Sequence, residues 1–422
     1  MECRCRPKTC SVPDQKSPLS EGVTRLSVSS LTQDRIVNVD ALRGFALLGI
    51  LLVNIMAFSS AFYGAEIPDP AFSSPVDQGA RFLIACLFET KFYLLFSFLF
   101  GYSFTLQMQS AEKAGKSFLP RLLRRQAGLW IIGIVHAVLL FHGDILTTYA
   151  VLGVVLLMLR NQDEARILKL AKWLVIGTAL LWIIMALLAA SEPPSGNPDA
   201  IRANADAVAL AYRSSPATVI GQHIEELSTI WMVIGLIQAP CALAMFLLGL
   251  AAGKRQVFLR FDDYKWLFRR LLAGGIAIGL PGAIFYGWCS VYLIGSIWDM
   301  AGLAVGILTA PFLTGAYIAG AMFLFQSVNG KSLSGLLAPV GRMALSNYLL
   351  QSAICATLFY AYGFGLIGMT APMTGIFIAL GIFGVQLILS TWWMSRFQYG
   401  PLEWLLRFVT IAARPRWRKQ RP

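Results

Sequence analysis

Apolar residues run along this chain in blocks of about twenty, separated by short polar punctuation. Ten blocks can be read, at about 42–62, 92–108, 126–142, 144–160, 172–190, 230–252, 271–289, 302–326, 343–362 and 373–394. At 1.5 Å per residue, twenty helical residues cross a hydrocarbon core roughly 30 Å thick. The pattern predicts an all-α, polytopic integral membrane bundle of about ten transmembrane helices. The second block is short, and the stretch from Arg81 to Lys91 before it reads as an interfacial helix. Residues 1–38 are polar and Ser-rich without an apolar core, which predicts a disordered cytoplasmic tail and no cleavable signal. The Pro- and Gly-containing stretch 191–228 predicts an outer loop, with a short helix through Ala203–Tyr212, joining halves at about 39–190 and 229–396. Residues 397–422 form an amphipathic, basic tail.

Composition agrees with that class. Of 422 residues, 57% are hydrophobic and 14% charged, and the mean hydropathy is +0.64. With ten spans and both termini cytoplasmic, the outward segments hold only four of the 35 Lys and Arg: Arg81, Lys91, Arg202 and Arg213. That bias is the positive-inside pattern, and it accounts for the +13 charge through membrane lipids, with no nucleic-acid partner. Clusters such as Arg121, Arg124 and Arg125 read first as topological anchors. The seven cysteines show no metal-ligand spacing, so no metal is expected.

Polar residues inside the spans carry the candidate chemistry. The first span opens VDALRGFALLGILLVN, placing Asp40 three residues before Arg43 and Asn54 eleven residues after it. All three fall near one helix face. An intramembrane charge costs roughly 2.5–3.5 kcal/mol on insertion scales unless it is paired or faces a cavity. His136 lies well inside the third span, and His142 and Asp144 mark the turn after it. Asp144 reads either as the cap of the next helix or as a carboxylate orienting a histidine base; the two roles are compatible. In KFYLLFSFLFGYSF at 91–104, Ser97, Gly101 and Ser103 read as close-packing residues, and Glu89 with Lys91 as a snorkelling pair or a cavity mouth. GRMALSNYLLQS at 341–352 sets Arg342, Ser346, Asn347 and Gln351 along one flank, as interhelical bonds or as cavity lining. In RFQYGPLEWLLRF at 396–408, Gly400 and Pro401 divide two helices, the second lying on the inner surface.

VDALRGFALLGILLVN, FYLLFSFLFGYSF, HGDILTTYAVLG, GRMALSNYLLQS and YGPLEW together resemble the YeiB family of bacterial membrane proteins (domain of unknown function 418), over about residues 35–410. The first motif also resembles a helix of two membrane acyltransferase groups, acyltransferase-3 and heparan-alpha-glucosaminide N-acetyltransferase. Arg43 matches their arginine. Asn54 stands where the acyltransferase-3 histidine would be, and residues 55–80 lack the histidine of the second group.

The resemblance implies a multi-pass protein of the bacterial inner membrane, with an acyl-CoA, such as acetyl-CoA, as donor substrate and a small-molecule or glycan acceptor. In that reading Arg43, Asp40, Arg342 and Asn347 bind the donor, and Asn54 donates to the oxyanion. His136 or His142 is the base, with Asp144 orienting His142 if His142 serves. Transport or flipping of a small anionic solute or lipid is the rival. The breaks suggested by Gln238–Pro240 and Ile276–Gly282 would favour it. A purely structural bundle is the third option.

Overall fold

The computed structural model describes residues 18–113, 115, 117–190 and 197–419, with side chains from Val37 onward. Over these described residues the chain folds as sixteen helices. The first eight are α1 (Pro18–Ser59), α2 (Pro75–Leu87), α3 (Lys91–Lys113), α4 (Phe118–Leu139), α5 (Leu146–Leu159), α6 (Glu164–Ala190), α7 (Pro198–Ser214) and α8 (Pro216–Val233). The remainder are α9 (Ala239–Lys254), α10 (Lys265–Gly274), α11 (Leu280–Tyr292), α12 (Ile297–Gln326), α13 (Val328–Arg342), α14 (Ala344–Phe359), α15 (Pro372–Arg396) and α16 (Pro401–Ile411). Among the described residues there is no strand, only an isolated bridge between Phe397 and Arg418.

All ten expected spans fall on helices. Among the described residues eight helical stretches are long and apolar enough to cross a membrane. The other two expected spans are α5 and α14, apolar but only 14 and 16 residues long. The interfacial helix expected at Arg81–Lys91 is α2, beginning earlier under a Ser74 cap. The short outer helix is α7. Residues 1–17 of the expected tail and 191–196 of the outer loop lie outside the described residues, and α1 as described begins at Pro18.

The two expected helix breaks are resolved as wide turns. Ile234–Gln238 and Gly275–Gly279 each form one π-helical turn, and the helix continues through both as α8–α9 and α10–α11. The cause is the proline just beyond. The rings of Pro240 and Pro281 would strike the carbonyls four residues earlier, on Leu236 and Ala277. The extra residue of a π turn moves those carbonyls away.

Helix α1 is the axis of the bundle, packed against α3, α12, α13, α14 and α15. Leucine and isoleucine side chains such as Ile184, Leu187 and Ile388 face outward, as a lipid-facing surface requires. At the end opposite the basic loops, α7 and residues 360–371 form a cap. Ala361 N–H donates to Tyr212 O (2.8 Å), Arg213 Nε to Ile367 O (2.9 Å) and Gly368 N–H to Ser59 O (2.7 Å). Beneath this cap the irregular segment 140–145, which joins α4 to α5, is packed in protein.

Candidate functional site

Two glycines bring two arginines to one place. A Cβ on Gly44 would lie 2.4 Å from Leu337 O, and one on Gly341 would lie 1.8 Å from Asp40 O, so α1 and α13 touch backbone to backbone. Their neighbours Arg43 and Arg342 therefore line the same cavity, of about 400 Å³, between elements of the two halves of the chain. Arg43 donates to Asp40 and to Ser103 Oγ (2.8 Å), so its fork is largely engaged. Arg125 from α4 also lines it. Its guanidinium sits 5.2 Å over the Phe100 ring, and one terminal nitrogen is buried without a hydrogen-bond partner. Among the described residues neither Arg125 nor Arg342 forms an ion pair. The carboxylate facing them, Glu403 of α16, is committed elsewhere. It accepts from Leu345 N–H (2.7 Å), Ser346 N–H (3.0 Å) and the Ser346 hydroxyl (2.5 Å), capping α14. Burial raises the Glu403 pKa, and the hydrogen bonds from Ser346 and Leu345 oppose the rise.

Beyond this charged mouth the walls are apolar: Leu47, Ile50, Phe96 and Leu129, closed by Leu146 and Tyr348. From Arg43 to Ile50 the chamber is about 10 Å deep. A positive rim over an apolar pit suits an anion with an apolar tail.

Behind the closed end stands a buried polar chain. His136 Nδ1 is 2.8 Å from Asp144 Oδ1, and its Nε2 is 2.8 Å from Ser352 Oγ. Asp144 Oδ2 accepts Thr147 N–H (2.8 Å), so the acid both opens α5 and holds a histidine. That histidine is His136. The alternative pairing of Asp144 with His142 does not occur, because His142 turns toward the cap. There its Nδ1 lies 3.0 Å from Glu226 Oε2, beside the Tyr212 hydroxyl, which donates to the same carboxylate (2.7 Å). The third histidine, His223, donates to Val138 O (3.0 Å), and its ring centroid is 5.6 Å from that of His142. Phe141 thus stands between His136 and His142, and His223 adjoins His142 on the side of the cap.

A second cavity, of about 280 Å³, opens toward the capped end. Glu89 lines it and accepts from Tyr63 (3.0 Å) and Tyr286 (2.7 Å) hydroxyls. Lys91 does not snorkel. It is fully buried, donating to Ala85 O (2.9 Å) under the Tyr286 ring. At about 100° per residue, Arg43, Leu47 and Ile50 share one face of α1. Met56 and Ser59 of the second cavity lie on the opposite face.

This framework has relatives. The uncharacterised protein YxaH of Bacillus subtilis (strain 168) is 33% identical over 401 residues, covering 91% of this chain and 96% of its own. The chain belongs to the DUF418 (YeiB) family. The family described as protein of unknown function (DUF418) matches residues 252–413. The uncharacterised protein YeiB of Escherichia coli (strain K12) is 27% identical over 412 residues, covering 90% of this chain and 97% of its own.

Within this DUF418 chain, the candidates from the sequence divide. Arg43 and Arg342 line the first cavity, and Asp40 holds Arg43. Asn347 faces α15 instead, donating to Val340 O (3.1 Å) and Ser390 Oγ (2.9 Å). Asn54 lines neither cavity. Two residues escaped the sequence reading. Arg125 looked like one more basic anchor. Ser352 closes the GRMALSNYLLQS motif, but its partner His136 is 216 positions away.

Proposed function

We propose that this DUF418 protein is a multi-pass protein of the bacterial inner membrane, with both termini cytoplasmic, that transfers an acyl group from an acyl-CoA to a hydroxyl or amine of an envelope acceptor. The observation that carries the reading is Arg125, which lines the cavity with a terminal nitrogen buried and without a hydrogen-bond partner, beside the exposed Arg342 on the same rim. A buried unpaired guanidinium is costly, and a phosphate or pyrophosphate offers the bidentate oxygens that satisfy it. The apolar pit behind takes the pantetheine arm and acyl group. At its closed end His136, held by Asp144, serves as general base. The positive-inside bias of the loops supports a cytoplasmic arginine mouth, the side on which coenzyme A is found.

The decisive experiment is binding of acetyl-CoA to the detergent-purified protein. Arg125→Ala and Arg342→Ala should each weaken it at least tenfold, about 1.4 kcal/mol. Undiminished binding in both variants would overturn the assignment. Release of coenzyme A over many turnovers that requires the acceptor and matches its acylation would separate transfer from translocation. The unbroken helices at Pro240 and Pro281 supply none of the discontinuous-helix sites that transporters use.

A further inference from the structure

Among the described residues, Ser352 is the span hydroxyl that meets a histidine ring; others, such as Thr314 and Ser390, cross to a carbonyl or an amide. Ser97, Ser103, Thr178 and Thr391 donate back to a carbonyl four residues earlier in their own helix. That is the usual fate of a hydroxyl with no better partner in an apolar helix. Ser352 instead reaches across to His136 Nε2 (2.8 Å), and His136 in turn is fixed at Nδ1 by Asp144 (2.8 Å). With the proton on Nδ1, His136 donates to Asp144 and accepts the serine proton. A hydroxyl on a base, with the base oriented by an acid, is the arrangement that makes a serine nucleophilic.

The position relative to the cavity gives that arrangement a substrate. Tyr348 lies one helical turn before Ser352 on the same face of α14 and lines the closed end of the arginine-mouthed cavity. Its ring centroid is 5.0 Å from that of His136. Ile145 and Leu146, which follow Asp144, line the same end. The acid, the base and the serine therefore meet just behind the wall toward which an acyl group would point.

We propose that Ser352 carries the acyl group covalently between donor and acceptor, with Tyr348 turning aside to admit the thioester. The proposal rests on the acyl-CoA reading of the cavity. In the first step Ser352 Oγ bonds to the thioester carbonyl carbon and its proton passes to His136 Nε2. The carbon–sulfur bond breaks, and the coenzyme A sulfur leaves with that proton as the thiol. In the second step an acceptor hydroxyl or amine gives its proton to His136 and attacks the serine ester. Ser352 Oγ then leaves and regains the proton. No oxidant, metal or further reactant is needed. The serine, histidine and acid are all buried, which keeps water from the ester.

The test uses the full chain in detergent with acetyl-CoA radiolabelled in the acetyl group. After denaturation the wild type should retain label on the peptide containing Ser352, stable to neutral hydroxylamine and released by alkaline hydroxylamine. Ser352→Cys keeps the size and a hydrogen-bonding group, and its label should become releasable at neutral pH, as a thioester is. Ser352→Ala should lose the label at least tenfold while acetyl-CoA binding persists. Label surviving in Ser352→Ala would overturn the relay. So would wild-type turnover with no label on Ser352, or Ser352→Cys label that resists neutral hydroxylamine; each leaves the cavity reading standing. Failure of the wild type to bind acetyl-CoA would overturn both.

Discussion

His142 shows how burial decides what a titratable side chain does here. It lies outside the spans, packed under the cap, and burial pushes its pKa down from 6.5 to about 4. In the unfolded chain it titrates near 6.5, so the folded state binds fewer protons between these values. Its contribution to stability is whole above pH 6.5 and is lost as pH falls toward 4, at most about 3 kcal/mol. The melting temperature in detergent should therefore drop between pH 7 and 4.5. His142→Asn should shrink that slope, and an unchanged slope would sink this account. Arg43, His136, Asp144 and Arg342 were legible in the sequence because charge and imidazole stand out against an apolar span. Ser352 was not, since a serine in such a helix usually bonds its own backbone, and only the fold reveals the exception. Arg125 was hidden by its company, two other arginines in a basic run.

Among elements, the lengths and the order of the helices were readable from apolar blocks, and their pairings were not. The α1–α13 contact joins Gly44 to Gly341, two glycines nearly three hundred positions apart, and the Glu403 cap on α14 comes from another helix. Gly341→Ala places a methyl where Asp40 O now lies and should cost about 1–3 kcal/mol by overpacking. It should also weaken acetyl-CoA binding, because Arg43 and Arg342 would move apart. Thermal unfolding and binding measured on one preparation check both, and a variant as stable as wild type would refute the contact. Glu403→Ala leaves two N–H groups and a hydroxyl of α14 without their acceptor, a loss of about 1–3 kcal/mol. The wide turns at Pro240 and Pro281 lay beyond sequence reading for a physical reason. A proline marks where the backbone must yield, but the surrounding packing chooses between a break and an extra residue.

For the whole molecule, the distribution of Lys and Arg sets orientation. Reporter fusions should place residue 115 in the cytoplasm and residue 205 outside; an external signal at 115 would reverse the mouth of the arginine cavity. The two cavities also bear on passage through the bundle. They sit back to back across α1 at different depths, with the Phe92 ring wedged at Gly49 of that helix. A continuous path from one to the other would have to displace the side chains packed between them, the Phe92 ring included.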